Sequence, residues 1–159
     1  MKTEDLIRQY LDEAKLMQLA TASDGQPWVC TVWFAADEDL NIYWFSSTTR
    51  RHSKEVKGSP RVAAAIALPQ SPQDQPRGLQ LQGVAEEVND EAEVAKAKSL
   101  FTVRIFDEQT IDSLINHRGK PHKFYKIKPS LFVLFDAVNF PDESRQEWKL
   151  SEAEGEVAE

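Results

Sequence analysis

Residues Ile42–Ile66, IYWFSSTTRRHSKEVKGSPRVAAAI, decide how this chain is read. Ile42 to Phe45 is an apolar, aromatic strand, followed by a hydroxyl run, Ser46-Ser47-Thr48-Thr49. A short helix is expected to start with Arg50-Arg51-His52 and to stop at Gly58-Ser59-Pro60, where a second strand, Arg61 to Leu68, begins. Cations sit badly at a helix N-terminus, which already carries partial positive charge and unpaired N–H donors. Two arginines and a histidine behind four hydroxyls make sense there if an anion, most simply a phosphate, fills the site. The competing explanation is a solvated helix start whose arginines pair with Glu55.

The rest of the chain limits what that anion can belong to. A length of 159 residues is enough for one domain with its own core, and 41% hydrophobic and 28% charged residues are ordinary for a globular protein. The apolar runs are too short to span a membrane, and no signal-peptide pattern opens the chain. The single cysteine, Cys30, excludes an internal disulfide, fits a cytoplasmic location, and reads as a small buried hydrophobe. Of the net charge of −7, the tail 151–159 carries −4 through four glutamates, leaving −3 for residues 1–150. That tail is expected to be a disordered, solvated end behind a single domain, 1–150. An acidic body offers little to nucleic acid or to anionic lipid, and the cluster Arg50, Arg51, His52, Lys54 and Lys57 suits a small anionic ligand.

Around the deciding stretch, the pattern predicts an N-terminal helix capped by Thr3, with Leu6, Ile7, Tyr10, Leu11, Ala14 and Met17 on one face. Leu19–Ser23 and Trp28–Ala36 form a hairpin through Asp24-Gly25, and Asn41–Phe45 pairs back. The second of these strands is apolar on both faces and therefore central. PQSPQDQPR, residues 69–77, is a polar loop long enough for a lid. A long strand follows through Gly83, where a bulge or close approach is expected. Two helices come next, capped by Asn89 or Asp90 and by Asp107 or Glu108, the second stopping at Arg118-Gly119. Lys123–Lys128 and Leu131–Phe135 are read as strands interrupted by Pro129, with a last short strand at Glu147–Leu150. Antiparallel strands with helices gathered in one block indicate an α+β fold with the sheet closing as a barrel, of about six to eight strands.

Several catalytic templates are missing. His52, His117 and His122 have no metal-binding spacing with Cys30, and there is no nucleophile elbow, dinucleotide fingerprint or P-loop. What survives is an anion site beside an aromatic sheet, where Trp28, Trp33 or Trp44 could cover a flat ring system.

The blocks DGQPWVCTVWF, SSTTRRHSKEVKGSPRVAAAI, RGLQLQGVAEEV and FYKIKPSLFVLFDAVNF, in that order, resemble the FMN-binding split barrels of the pyridoxamine 5'-phosphate oxidase family. The similarity runs from about Leu6 to Leu150 and is nearest to a small bacterial branch. It implies an antiparallel split barrel, a homodimer, and FMN in a groove between the two subunits. By position, Arg51 and His52 stand where the family holds the FMN phosphate, and Ser46 and Ser47 at the turn that bonds phosphate or ribityl. Thr31 and Val32 lie on the strand whose backbone edges the isoalloxazine. The departures concern the substrate. The oxidases' strand-ending lysine is Trp33 or Phe34 here, the glutamine after the strand-starting arginine is Gly78, and only Trp148 occupies the C-terminal arginine motif. Pyridoxamine phosphate oxidation is therefore not expected. The histidine in place of a lysine makes the phosphate contact pH-sensitive.

The resemblance implies an FMN-dependent oxidoreductase that takes NAD(P)H or another small molecule, with no side chain assignable as acid or base. The alternatives are a non-catalytic carrier of flavin or haem (related split barrels also hold the deazaflavin F420) and a dimerising domain whose site has decayed.

Overall fold

The computed structural model describes residues 2–150, so the expected disordered tail lies outside the described residues. The elements are α1 (Thr3–Glu13), β1 (Leu16–Ser23), β2 (Gln26–Ala36), β3 (Ile42–Ser47), α2 (Arg51–Gly58), β4 (Arg61–Ala67), β5 (Arg77–Glu87), α3 (Glu91–Arg104), α4 (Glu108–Ile115), β6 (His122–Asp136) and β7 (Arg145–Lys149). Seven antiparallel strands form one sheet in the order β3-β2-β1-β4-β5-β6-β7, and an added β3–β6 pairing closes the first six into a partial ring. This is the expected α+β split barrel, with the helix block between β5 and β6.

Asp24 and Gly25 both take positive φ, 50° and 76°, the turn that matches the twist of a two-residue hairpin. The hairpin register therefore sets Ser23 against Gln26 and Thr21 against Trp28. Along β4 burial alternates strictly: Val62, Ala64 and Ile66 point into the barrel, while Ala63 and Ala65 point out. The barrel interior is filled by Met17, Leu19, Phe34, Trp44, Leu81, Tyr125, Ile127 and Phe132, and Leu6, Ile7, Tyr10 and Leu11 of α1 join the same core. A second cluster, Tyr43, Phe45, Ala97, Phe101, Ile111 and Phe124, forms where α3 and α4 pack outside β3 and β6.

Several local expectations change. α1 starts at Thr3, with Lys2 as its cap residue and no capping side chain. Asp90 and Asp107 are the caps of α3 and α4, accepting from the amides of Glu93 and Thr110. α4 ends at Ile115, short of Arg118-Gly119. Pro129 does not divide the strand around it. β6 runs unbroken from His122 to Asp136, and the irregularity falls on β5, where the register shifts between Gln82 and Gly83. A Cβ on Gly83 would lie 2.3 Å from the Lys128 carbonyl oxygen, so only glycine admits this close approach. On its other edge β6 changes partner at the same place, pairing with β3 from His122 to Ile127 and with β7 from Leu131 to Phe135. The 69–76 loop is fastened at its base: Gln70 donates to the carbonyls of Leu68 and Arg77 and accepts from the Arg77 amide.

Candidate functional site

The barrel parts between β2 and β3. Their ladder holds at only three pairs, Phe34–Trp44, Ala35–Tyr43 and Ala36–Ile42. Extending that register would set Val32 against Ser46 and Thr31 against Ser47. Instead β3 continues along β6, with Ser46 opposite Lys123 and Ser47 opposite His122. Ser46 and Ser47 are thus strand residues, and the turn begins after them. β2 from Gln26 to Trp33 keeps β1 on one side and, among the described residues, no strand on the other. A half-paired strand presents alternate N–H and C=O groups that need partners, a suitable edge for a planar heterocycle with both donors and acceptors. The expectation that β2 is central holds for its last three residues and fails for the rest.

The six residues singled out from the sequence divide around this gap. Val32 is buried in the barrel core, whereas Thr31 faces out and donates its hydroxyl to Gln18 Oε1 at 2.5 Å. Thr31 can therefore serve a ligand best through its backbone, which lies on the free side of β2, whereas Val32 shares the alternation of Phe34, whose amide donates toward β1 to the Lys15 carbonyl. Ser46 is buried, with its hydroxyl 2.9 Å from His52 Nε2. Ser47 Oγ lies 2.8 Å from Thr49 Oγ1 and accepts from the Thr49 amide, and its carbonyl accepts the Ser53 hydroxyl at 2.8 Å. The Thr48 amide donates to the Pro121 carbonyl, which ties this turn to the start of β6.

α2 begins at Arg51, one residue later than expected, with Arg50 as cap residue and no capping side chain. Its buried stripe is His52, Ser53 and Val56. His52, 8% exposed, turns inward to Ser46. Burial first, and then the Arg50 charge, pull its pKa below the ordinary histidine value, so the ring is neutral at pH 7 and acts as a fixed hydrogen-bonding group. Arg51 turns outward. Its Nε donates to Glu55 Oε2 at 2.9 Å, and its guanidinium carbon sits 4.0 Å over the Trp28 ring. The pairing of arginine with Glu55 is therefore real, yet among the described residues only Nε is engaged in hydrogen bonding. Arg50 is exposed at the same turn.

Of the three tryptophans, Trp44 is removed as a ring wall: it is fully buried and stacks on Tyr125 at 5.2 Å. Trp28 and Trp33, 43% and 42% exposed, remain available along β2. Cys30 is half-buried, and burial raises its thiol to about 11, which makes it an inert packing group. Thr21 and His122 are the two participants not picked out from the sequence. Glu55 also accepts the Thr21 hydroxyl at 2.8 Å, and His122 rests on Phe45 at 5.1 Å beside the turn. Thr21 was findable, because the Asp24-Gly25 turn alone sets it opposite Trp28.

The arrangement offers donors of the kinds that a phosphorylated planar cofactor requires: guanidinium groups, strand-end hydroxyls and a free backbone edge. No helix among the described residues is long and apolar enough to cross a membrane.

The sequence matches the family model for pyridoxamine 5'-phosphate oxidase over residues 3–133. No curated protein matches it. Among solved structures, a haem binding protein from Mycobacterium smegmatis is similar at TM-score 0.73 and 17% identity, over 89% of this chain and 55% of that one. This chain thus spans about half the length of that relative. HutZ, the haem storage protein from Vibrio cholerae, gives 0.67 and 22% identity, over 81% of this chain and 91% of its own. A FAD-binding protein from Mesorhizobium loti gives 0.64 and 20%, over 82% and 90%. At such identities the shared feature is the fold. With the family match covering most of its length, the chain belongs to the pyridoxamine 5'-phosphate oxidase family of split barrels, a fold shared by flavin-binding and haem-binding proteins.

Proposed function

We propose that this protein binds FMN at the gap between β2 and β3 and is a flavin-dependent oxidoreductase for a substrate other than pyridoxamine 5'-phosphate. The observation that carries this reading is the convergence of a free β2 edge, the Ser46–Ser47 strand end and the Arg51 guanidinium at one break in the barrel. Arg51, with Arg50 beside it, would hold the phosphate. Neutral His52 would act on it indirectly, by fixing Ser46. The backbone of Thr31, whose N–H and C=O lie on the free side of β2, would hydrogen-bond the ring edge, while Val32 packs the strand against the core and Trp28 and Trp33 limit the ring's access to water. Bound flavin would supply hydride and electron transfer with NAD(P)H or another small molecule.

The site would be completed in a homodimer. Leu16, Val29, Trp33 and Val84 are exposed apolar residues, 41%, 61%, 42% and 50% accessible, and lie on the strands around outward-facing Ala63 and Ala65. An apolar face of this kind favours a second copy, and it adjoins the free β2 edge.

A second reading is a carrier of flavin or haem without turnover. Its support is that similar folds include haem proteins, and that His122 Nδ1 lies 3.3 Å from the Lys120 carbonyl, so that Nε2 would be the nitrogen to hold a haem iron. FMN titration followed by absorbance tests both readings. Saturable binding of one FMN per subunit, with reduction by NAD(P)H, supports the first. Bound cofactor that never turns over, or haem taken up in preference to FMN, favours the second.

A further inference from the structure

The carboxylate of Glu55 stands within the anion site, where unlike charge would be expected. It is 10% exposed, and both oxygens are engaged: Oε1 accepts the Thr21 hydroxyl at 2.8 Å and Oε2 accepts Arg51 Nε at 2.9 Å. Thr21 and Trp28 face each other across the β1–β2 ladder. Arg51 and Glu55, one helical turn apart on α2, therefore dock side by side on a directly opposed pair of the hairpin. Glu55 takes Thr21, and Arg51 covers Trp28 at 4.0 Å. The contacts form a closed circuit, Thr21 to Glu55 to Arg51 to Trp28 and back through the backbone ladder. The Arg51 and Thr21 hydrogen bonds hold the Glu55 pKa below the usual carboxylate value, so the circuit is charged at neutral pH.

We propose that Glu55 and Thr21 are positioning residues that pre-set Arg51 for the phosphate of the bound nucleotide. The proposal rests on the anion-site reading above. A guanidinium has a fork of donors on a long flexible stem, and its use as a phosphate clamp depends on how much of that freedom is lost before the ligand arrives. Nε is tied to Glu55 and one face lies on Trp28, so the fork is oriented while its Nη donors stay available for the phosphate. Glu55 therefore has two opposed effects, repelling the anion by charge and preparing its partner by geometry. Its conservation of Arg51's orientation is the larger effect.

The test compares FMN and riboflavin binding, by fluorescence titration, to the full-length protein and to Glu55→Ala, Glu55→Gln and Thr21→Val, with thermal melts as a check on folding. Positioning predicts that Glu55→Ala weakens FMN about tenfold and leaves riboflavin unchanged. Glu55→Gln loses the charge but can still accept Arg51 Nε on its amide oxygen while its NH2 donates to the Thr21 hydroxyl, and it should bind FMN as well as or better than the parent chain. Thr21→Val should lose two- to threefold for FMN alone, and it decides the matter if Glu55→Ala does not fold. Equal or tighter FMN binding by Glu55→Ala, or by Thr21→Val in that event, overturns the positioning role and leaves the anion site standing. Equal losses for FMN and riboflavin also overturn it, since they indicate a structural role only. A parent chain that discriminates no phosphate at all overturns the anion-site reading and this inference with it.

Discussion

The starts of α2 and α3 are built in opposite ways. α3 opens with Asp90 accepting from the Glu93 amide and carries Glu91 and Glu93 in its first turn. α2 opens with Arg50 in the cap position, has no capping side chain, and has no acid in its first turn. α4 follows α3 with Asp107 and Glu108, and α1, although uncapped by a side chain, has Glu4 and Asp5. Among the described helices α2 alone lacks both devices that satisfy a positive helix end. At α3 the chain completes its own electrostatics. At α2 it leaves the first amides and two arginines beside the parted β2–β3 edge, while His52 and Ser53 brace the turn through Ser46 and Ser47 and Glu55 ties Arg51 to Thr21.

Removing the Arg51 cation together with the His52 ring that fixes Ser46 tests this difference most strongly. Arg51→Ala with His52→Ala should lower FMN affinity on the order of ten- to a hundredfold, the scale of a charge-assisted hydrogen bond removed from a fixed anion. Titration of folded double variant decides it, and an unchanged affinity removes both residues from the site. Converting α2 into an α3-like start comes next. Arg50→Asp installs a cap on backbone already extended at φ −71°, ψ 151°. It should stabilise the free protein by about 1 kcal/mol and weaken FMN binding several-fold. Thermal denaturation and titration of the same sample read both effects, and stabilisation with no loss of binding would break the comparison. The converse variant, Asp90→Ala, should cost about 1 kcal/mol of stability and leave FMN affinity untouched.

The smallest effect lies in the pH dependence. His52 has a depressed pKa in the folded chain, so the unfolded chain binds its proton more readily. The corresponding stability is present above the ordinary histidine value of 6.5 and is lost as pH falls below it toward the lowered folded value. Denaturant melts across that window should show a slope that His52→Gln flattens. A slope of the same size in the variant assigns it to another group, such as His122, whose pKa burial also lowers.

Much of this was legible wherever the signal was local. The Asp24-Gly25 turn, the cap of α3 narrowed to Asn89 or Asp90 and that of α4 to Asp107 or Glu108, and a bulge or close approach at Gly83 are all written within a few residues. What escaped depended on partners distant along the chain. Ser46 and Ser47 read as a turn because their strand partners, Lys123 and His122, lie more than 70 residues away. Pro129 read as an interruption, since nothing nearby reveals that β5 absorbs the irregularity at Gly83. In the site, the Arg51–Glu55 pair was visible at helical spacing. Its fastening to Thr21 and Trp28 required the hairpin register to be combined with the position of α2. The inward turn of His52 had no sequence signal beyond the apolar stripe it shares with Val56.

The central claim is that α2 begins as it does because a cofactor phosphate completes it. The direct measurement is the absorbance spectrum of the purified protein before and after FMN is added, with the bound cofactor counted per subunit. The account predicts a flavin spectrum with one FMN per subunit, lost in the Arg51→Ala, His52→Ala variant. A protein that stays colourless in FMN, or holds flavin equally well without those two side chains, contradicts it.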